Sequence, residues 1–99
     1  MWYLPVMKEK ALERKLVLSV MDMGGLAMKF ISPGLDGVPD RLVLFPHGRV
    51  AFVECKAPGE GLRPLQSKRK EQLEALGFSV YCLSGVDQIG EVLREIRGA

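Results

Sequence analysis

The chain has little of several residue types on which common site classes depend. Its 99 residues include two cysteines, Cys55 and Cys82, and a single histidine, His47. Neither cysteine lies in a CxxC pair or near the histidine, which excludes a zinc framework and a dense disulfide scaffold. We interpret both cysteines as buried, reduced thiols of a cytosolic protein.

Long hydrophobic runs are also missing. No apolar stretch approaches the roughly 18–20 residues that span a bilayer. The apolar start, residues 1–7, is short, has no basic residues before it and has no small-residue cleavage site, so we do not interpret it as a secretion signal. We interpret residues 1–7 as an N-terminal apolar arm and residues 8–99 as one domain, since domains usually run from about 50 to 250 residues.

Charge of one sign is not in excess. The chain has 14 basic and 12 acidic residues and a net charge of +2, which neither requires nor excludes a nucleic-acid partner. With 47% hydrophobic and 26% charged residues, the composition is that of a globular protein and excludes a disordered tail or a coiled-coil rod. A chain this short buries only about 60–65% of its unfolded surface, so its own core is marginal.

The spacing of apolar residues predicts an α/β fold. Three successive strands indicate an antiparallel meander, and the following strand–helix–strand unit adds a fourth strand parallel to the third by a right-handed crossover. We therefore expect a mixed four-stranded sheet flanked by helices. The predicted elements are helix 8–23, strands 26–31, 41–45 and 49–56, helix 64–76, strand 78–83 and a last helix capped by Ser84.

Two carboxylates and one ammonium group are predicted to meet at one end of the sheet. Glu54 and Lys56 lie two residues apart on a strand and share a face, whereas Cys55 takes the other face. A three-residue turn at 46–48, with Gly48 left-handed, would bring Asp40 directly opposite Glu54. A two-residue turn would shift the register by one and put Asp40 on the other face.

Two carboxylates opposed across a strand pair repel each other, at a cost of up to about 1 kcal/mol. A hard divalent cation, Mg²⁺ or Mn²⁺, would offset that repulsion by binding Asp40 and Glu54, and the backbone carbonyl of Cys55 could supply another oxygen. Lys56 could orient or help deprotonate an attacking water, or neutralise charge on a phosphoryl group.

The first helix could add a carboxylate to this group. Glu13 prolongs the apolar stripe of that helix instead of its solvated face, so its side chain is predicted to point toward the sheet, and Glu9 could do the same one turn earlier. Gln66 lies near the start of the second long helix, whose N-terminus favours an anion, and is a candidate to contact either a metal-ligating side chain or a phosphate. We interpret His47 as a solvated turn residue.

Basic residues cluster on the second long helix. Part of the cluster fits a plain solvated face, and the remainder could hold DNA phosphates, with two further basic residues nearer the metal. The predicted DNA-binding residues are Lys29, Arg41, Arg63, Lys68 and Arg69.

The acidic and basic residues also form a known signature. Pro39-Asp40, thirteen residues and then Glu54-x-Lys56 resemble the signature of the PD-(D/E)xK nuclease superfamily. More narrowly, most of the chain after Met7 resembles the VRR-NUC (virus-type replication-repair nuclease) family. The segments that carry this resemblance are 12–17, 24–30, 32–41, 52–58, 62–66 and 76–78.

The resemblance implies a restriction-endonuclease-like αβββαβ(α) core and a role for each motif residue. It makes Asp40 and Glu54 metal ligands and Lys56 the catalytic lysine. It matches Glu13 to the helix glutamate that contacts the metal, often through water, and Gln66 to the glutamine that follows the motif.

The resemblance also implies a function. It indicates a metal-dependent, structure-specific endodeoxyribonuclease that cuts branched DNA, Holliday junctions above all, in DNA repair, recombination or phage replication. A homodimer is expected, with the exposed face of the last helix and the apolar arm as candidate interfaces, in the cytoplasm of a bacterial or phage-infected cell. The alternatives are a flap- or duplex-cutting nuclease of the same fold and a non-catalytic DNA-binding module.

Overall fold

The computed structural model describes residues 4–98 and, from Glu9 onward, their side chains. The order of helices and strands is the predicted one, which confirms the α/β fold. The elements are α1 (Leu4–Asp22), β1 (Leu26–Lys29), β2 (Arg41–Phe45), β3 (Arg49–Cys55), α2 (Pro64–Ala75), β4 (Ser79–Leu83) and α3 (Ile89–Arg97), with single 3-10 turns at Pro46–Gly48 and Val86–Gln88.

Several element boundaries differ from the prediction by one or two residues, and two helix starts differ by more. Helix α1 already begins at Leu4, so residues 4–7 of the predicted arm belong to its first turn, while residues 1–3 lie outside the described residues. Ser84 is not the cap of the last helix, because α3 begins at Ile89. Instead, the side chain of Gln88 folds back, and its Oε1 accepts the backbone N–H of Ser84 at 2.8 Å.

The strands form one mixed sheet in the order β1-β2-β3-β4. The first three strands pair antiparallel, and β4 pairs parallel with β3, as predicted for a crossover through α2. Helices α1 and α3 cover one face of this sheet. The core between them contains Leu12, Leu16, Val20, Val43, Phe45, Ala51, Val53, Cys55, Leu83, Ile89, Leu93 and Ile96.

The turn between β2 and β3 sets the register of the sheet. Both His47 (φ 68°) and Gly48 (φ 71°) are left-handed. Glycine adopts this conformation easily, whereas His47 is a non-glycine residue in a conformation that such residues rarely adopt. Phe45 pairs with Arg49 across it, which confirms the three-residue turn.

The other face of the sheet is partly open. Helix α2 covers it only at the β3–β4 side, since Glu54 on that face contacts Gln66 of α2. Toward β1 the face is apolar and accessible, with Leu26 53%, Met28 42% and Val50 36% exposed. We call these three residues the open sheet face.

Membrane insertion by a helix finds no support in the part of the chain that the structure describes. None of its helices combines enough length with enough apolar character to cross a bilayer.

We expect the core to tolerate little loss of volume. Leu16 is fully buried, so Leu16→Ala should lower the free energy of unfolding by about 2–5 kcal/mol, a large share of the total for a small domain. Leu18→Ala, on the same helix but 52% exposed, should change it by less than about 0.5 kcal/mol. Urea denaturation measures both, and equal losses would contradict the described packing of α1.

Candidate active site

Asp40 and Glu54 meet where the register predicts. The backbone N–H of Asp40 donates a hydrogen bond to Oε1 of Glu54 at 3.2 Å. Both residues line one cavity of about 590 Å³, where β2 begins and β3 ends. This cavity is here called the catalytic cavity. Its other lining residues are Glu9, Val38, Lys56, Glu60, Gly61, Arg63 and Gln66.

Two side chains contact Oε2, the other carboxylate oxygen of Glu54. Oε2 accepts a hydrogen bond from Nε2 of Gln66 at 3.1 Å and lies 3.6 Å from Nζ of Lys56. Gln66 is itself fixed, because its Oε1 accepts the backbone N–H of Arg63 at the start of α2 at 2.9 Å. Lys56 and Glu54 therefore share a face, as predicted, and Gln66 orients the Glu54 carboxylate.

Asp40 has an oxygen without a protein partner. Its Oδ1 is buried and accepts no hydrogen bond within the described residues. Burial raises the pKa of Asp40, and the nearby charge of Glu13 raises it further, although backbone N–H groups and Arg41 oppose this. Such a carboxylate is costly to keep ionised unless a cation satisfies it.

The neighbouring carboxyl group is shifted in the same direction. Burial is the main cause that raises the pKa of Glu54, followed by the charge of Asp40, while Lys56 opposes both. The charge of Asp40 thus disfavours the ionised form of Glu54, as a neighbouring carboxylate does.

These residues fit a hard divalent cation. The buried, unpartnered oxygen of Asp40 and the carboxylate of Glu54 are the oxygen donors that Mg²⁺ and Mn²⁺ accept, and such ions usually keep several waters. No cluster of three or more His, Cys, Asp or Glu side chains that could hold a metal ion occurs among the described residues.

Glu13 is not brought into the catalytic cavity. Its Oε1 accepts a hydrogen bond from Nε of Arg41 at 2.9 Å and is 2.7 Å from Nη2 of the same side chain. Glu9, which the spacing raised only as a second choice, lines the catalytic cavity. The reason is that β2 presents Asp40 and Arg41 on opposite faces, so α1 meets the arginine at the level of Glu13.

Glu60 was missed by the sequence reasoning, although it also lines the catalytic cavity. It lies in the loop after β3, and its Oε1 accepts the backbone N–H of Ala57 at 3.2 Å. The spacing of this loop carried no periodic signal, so no pattern in the sequence singled the residue out.

The predicted DNA-binding residues divide into two groups. Lys29, Arg63 and Lys68 are exposed, and Arg63 lines the catalytic cavity. Arg41 is engaged by Glu13, and Arg69 donates from Nε to the carbonyl oxygen of Asp36 at 2.6 Å. The second pair therefore has internal partners that compete with any phosphate.

The thiol groups contribute no nucleophile. Burial raises the pKa of Cys55 to about 12, helped by the charges of Asp40, Glu13 and Glu54. The prediction that both thiols are buried is wrong for Cys82, which is exposed on β4, although partial desolvation of its thiol still raises its pKa. Both groups stay protonated near neutral pH, and protonated thiols are poor nucleophiles.

Comparison with known proteins identifies the family. No family model matches the chain. A protein named "Putative nuclease p44" from Acyrthosiphon pisum secondary endosymbiont phage 1 is 49% identical over 82 residues, which cover 83% of this chain and 88% of that protein. A solved structure described as "VRR_NUC domain" aligns with a TM-score of 0.82 at 27% identity, over 88% of this chain and 95% of the other.

The chain belongs to the VRR-NUC family. The protein is a nuclease by that membership, and its four-stranded mixed sheet flanked by helices is the VRR-NUC fold. The earlier resemblance, drawn from motif residues alone, is confirmed at the level of family and fold.

The raised pKa values predict that Asp40→Asn stabilises the metal-free protein. The folded state holds its protons more tightly than the unfolded state, so wild-type stability falls as the pH rises from the ordinary value of 3.8 through the raised pKa of Asp40. The amide that replaces the carboxyl group cannot ionise, and we expect the variant to gain about 1 kcal/mol near neutral pH and to lose this advantage in acid. Urea denaturation in EDTA across that range measures the difference.

The matched control is Asp36→Asn, which changes the same group at an exposed site in the preceding loop. It should alter stability by less than about 0.5 kcal/mol at every pH. A gain for Asp40→Asn that does not depend on pH would contradict the electrostatic explanation.

Proposed function

We propose that this VRR-NUC protein is a metal-dependent endodeoxyribonuclease that hydrolyses phosphodiester bonds in branched DNA, with four-way junctions as the first candidate substrate. The observation that carries the proposal is the unpartnered, buried oxygen of Asp40 beside Glu54 and Lys56 in one open cavity. A structural role gives no reason to oppose two carboxylates there, because their repulsion costs stability.

Asp40 and Glu54 would hold Mg²⁺ or Mn²⁺, with the Cys55 carbonyl oxygen as a further donor. A bound divalent ion supplies Lewis-acid stabilisation of phosphate charge and lowers the pKa of water. Glu13 would act on this site only indirectly. Its carboxylate binds Arg41, and the negative charge of Glu13 helps to raise the pKa of Asp40. Gln66 keeps Glu54 oriented, since its amide bonds both the carboxylate and the backbone of α2.

Lys56 is placed to assist the reaction. Its ammonium group lies 3.6 Å from the Glu54 carboxylate and lines the same cavity as Asp40. It would orient the attacking water and offset the negative charge that grows on the phosphoryl oxygens. The water oxygen bonds to phosphorus, the opposite phosphorus–oxygen bond breaks, and the leaving oxygen gains a proton, which yields one phosphate and one hydroxyl end.

A homodimer is part of the proposal, and among the candidate contact surfaces we favour the open sheet face. Helix α3 turns its apolar residues Ile89, Leu93 and Ile96 into the core, so its exposed face has little to offer a partner. The open sheet face is apolar and accessible, and a second copy would cover it with two-fold symmetry. Such symmetry suits paired cuts in a four-way junction.

The cellular setting follows from the relative. The similar nuclease is encoded by a phage, which supports action in the cytoplasm of a bacterial or phage-infected cell, in DNA repair, recombination or phage replication.

The decisive experiment compares cleavage of labelled four-way junction, flap and duplex DNA. We expect cutting of the junction with Mg²⁺ or Mn²⁺ and none in EDTA. Asp40→Ala and Lys56→Ala should each lower the cleavage rate by roughly a hundredfold or more, because the first removes a proposed metal ligand and the second removes the ammonium group that offsets phosphoryl charge. Lys15→Ala, an exposed lysine of α1 outside the catalytic cavity, is the control.

The same panel separates the alternatives. Preference for flap or duplex DNA would replace the junction as substrate while keeping the mechanism. DNA binding without cleavage under any metal would favour a non-catalytic module. Cleavage that persists in EDTA, or in Asp40→Ala, would refute the metal mechanism.

The dimer is tested by light scattering at micromolar concentration. We expect a single dimeric species, and Met28→Glu should convert it to a monomer because it buries a charge in the apolar contact. Val86→Glu replaces another exposed apolar residue, 59% exposed and outside the open sheet face, and should leave the dimer intact. A monomeric wild type would count against this part of the proposal.

A further inference from the structure

A second charged cavity, here called the basic cavity, lies beside the catalytic cavity along α1. It has a volume of about 420 Å³. Four of its lining residues are basic and one is acidic, whereas the catalytic cavity is lined by four acidic and two basic residues. The basic cavity is lined by Lys10, Glu13, Arg14, Val17, Lys29 and Arg41.

Consecutive residues of two elements divide between the two cavities. On α1, Glu9 lines the catalytic cavity and Lys10 lines the basic cavity. At the start of β2, Asp40 and Arg41 divide in the same way. Since neighbouring Cα atoms are about 3.8 Å apart along the chain, the two cavities lie next to each other where α1 meets the start of β2, on either side of that strand.

The acidic residue of the basic cavity is already neutralised. Oε1 of Glu13 is 2.7 Å from Nη2 of Arg41 and 4.0 Å from Nζ of Lys29. Only 17% of the Arg41 side chain is exposed, whereas the Lys29 side chain is 64% exposed. Arg41 thus closes the floor of the cavity, and Lys29 can still reach a ligand.

Lys10 and Arg14 have no such partner. Both are exposed, and within residues 9–98 neither lies within 4 Å of a carboxylate oxygen. They stand four residues apart on one face of α1, where like charges weaken a helix. Helix stability therefore gives no reason for the pair, whereas binding of a negatively charged ligand would.

The catalytic cavity alone is a poor binder of a polyanion. Before the proposed metal ion binds, its excess of carboxylates repels DNA phosphates within the screening length. An adjoining cavity of opposite charge offsets that repulsion and holds the strand while the reacting phosphate enters.

We infer that the basic cavity binds backbone phosphates of the DNA strand next to the bond that is cut, through Lys10, Arg14 and Lys29. This inference rests on the proposed nuclease function and adds Lys10 and Arg14 to the DNA-binding residues. Phosphates of one strand follow each other at about 3.4 Å of helix axis, so adjoining cavities suit successive phosphates. The contacts are to the backbone and carry no sequence preference.

The test measures binding to a labelled duplex over a range of salt concentrations, in EDTA so that the DNA stays intact. Each of Lys10→Gln and Arg14→Gln should reduce the slope of log affinity against log salt by about 1, and the double variant by about 2. The loss should be the same for different sequences. Lys15→Gln on α1 and Arg94→Gln on α3, exposed and outside both cavities, should leave the slope unchanged.

Folding and cleavage are measured on the same variants. In the Lys10 and Arg14 variants the midpoint temperature of thermal unfolding should be unchanged or slightly higher, because each substitution removes the repulsion between these two like charges. An unchanged slope in the double variant, in a protein that binds and cuts DNA, would overturn the basic cavity and leave the nuclease intact. A wild type that neither binds nor cuts DNA with Mg²⁺ or Mn²⁺ would overturn both.

Discussion

The register of one strand pair is the constraint on which the rest of the site depends. The three-residue turn after β2 pairs Phe45 with Arg49, and this register carries Asp40 to the position opposite Glu54. A shift of one residue would send every side chain of β2 to the other face, and the two carboxyl groups would no longer share a cavity. The left-handed conformations of the two turn residues at 47 and 48 therefore help to determine which face of the sheet Asp40 takes.

The site stores an electrostatic cost that the protein only partly offsets. Gln66 and Lys56 stabilise the charge of Glu54, but one oxygen of Asp40 stays buried without a partner among the described residues, and burial raises both pKa values. Proteins accept such costs mainly at functional sites, where a ligand or a reacting group later satisfies them. Membership of the VRR-NUC family and the geometry of the site thus independently support the assignment of this protein as a nuclease.

Helix α1 divides its charges between two neighbouring cavities. Strand β2 turns Asp40 and Arg41 to opposite faces. On α1, Glu9 therefore lines the catalytic cavity with Asp40, whereas Glu13 binds Arg41. The Glu13–Arg41 pair links α1 to the strand that carries Asp40. The outer face of α1 carries the exposed cations Lys10 and Arg14.

The fold and the main residues of the site could be predicted from sequence because they depend on local rules. Apolar periodicity placed the helices and strands, and the two-residue repeat of a strand put Glu54 beside Lys56, but the choice between a three-residue and a two-residue turn was left to the structure. Element ends were less well predicted, since Gln88, and not Ser84, supplies the bonds before α3. A backbone–side-chain contact of this kind has no periodic signature.

The sequence by itself therefore determined the family, the fold and the set of Asp40, Glu54, Lys56 and Gln66. Only the tertiary structure decided that Arg41 engages Glu13, that Glu9 and Glu60 line the catalytic cavity, and that Lys10 and Arg14 face a cavity beside it. The physical reason is that spacing along one element fixes which face a residue takes. Which partner it meets there depends on how separate elements pack, and that packing is set by the whole core.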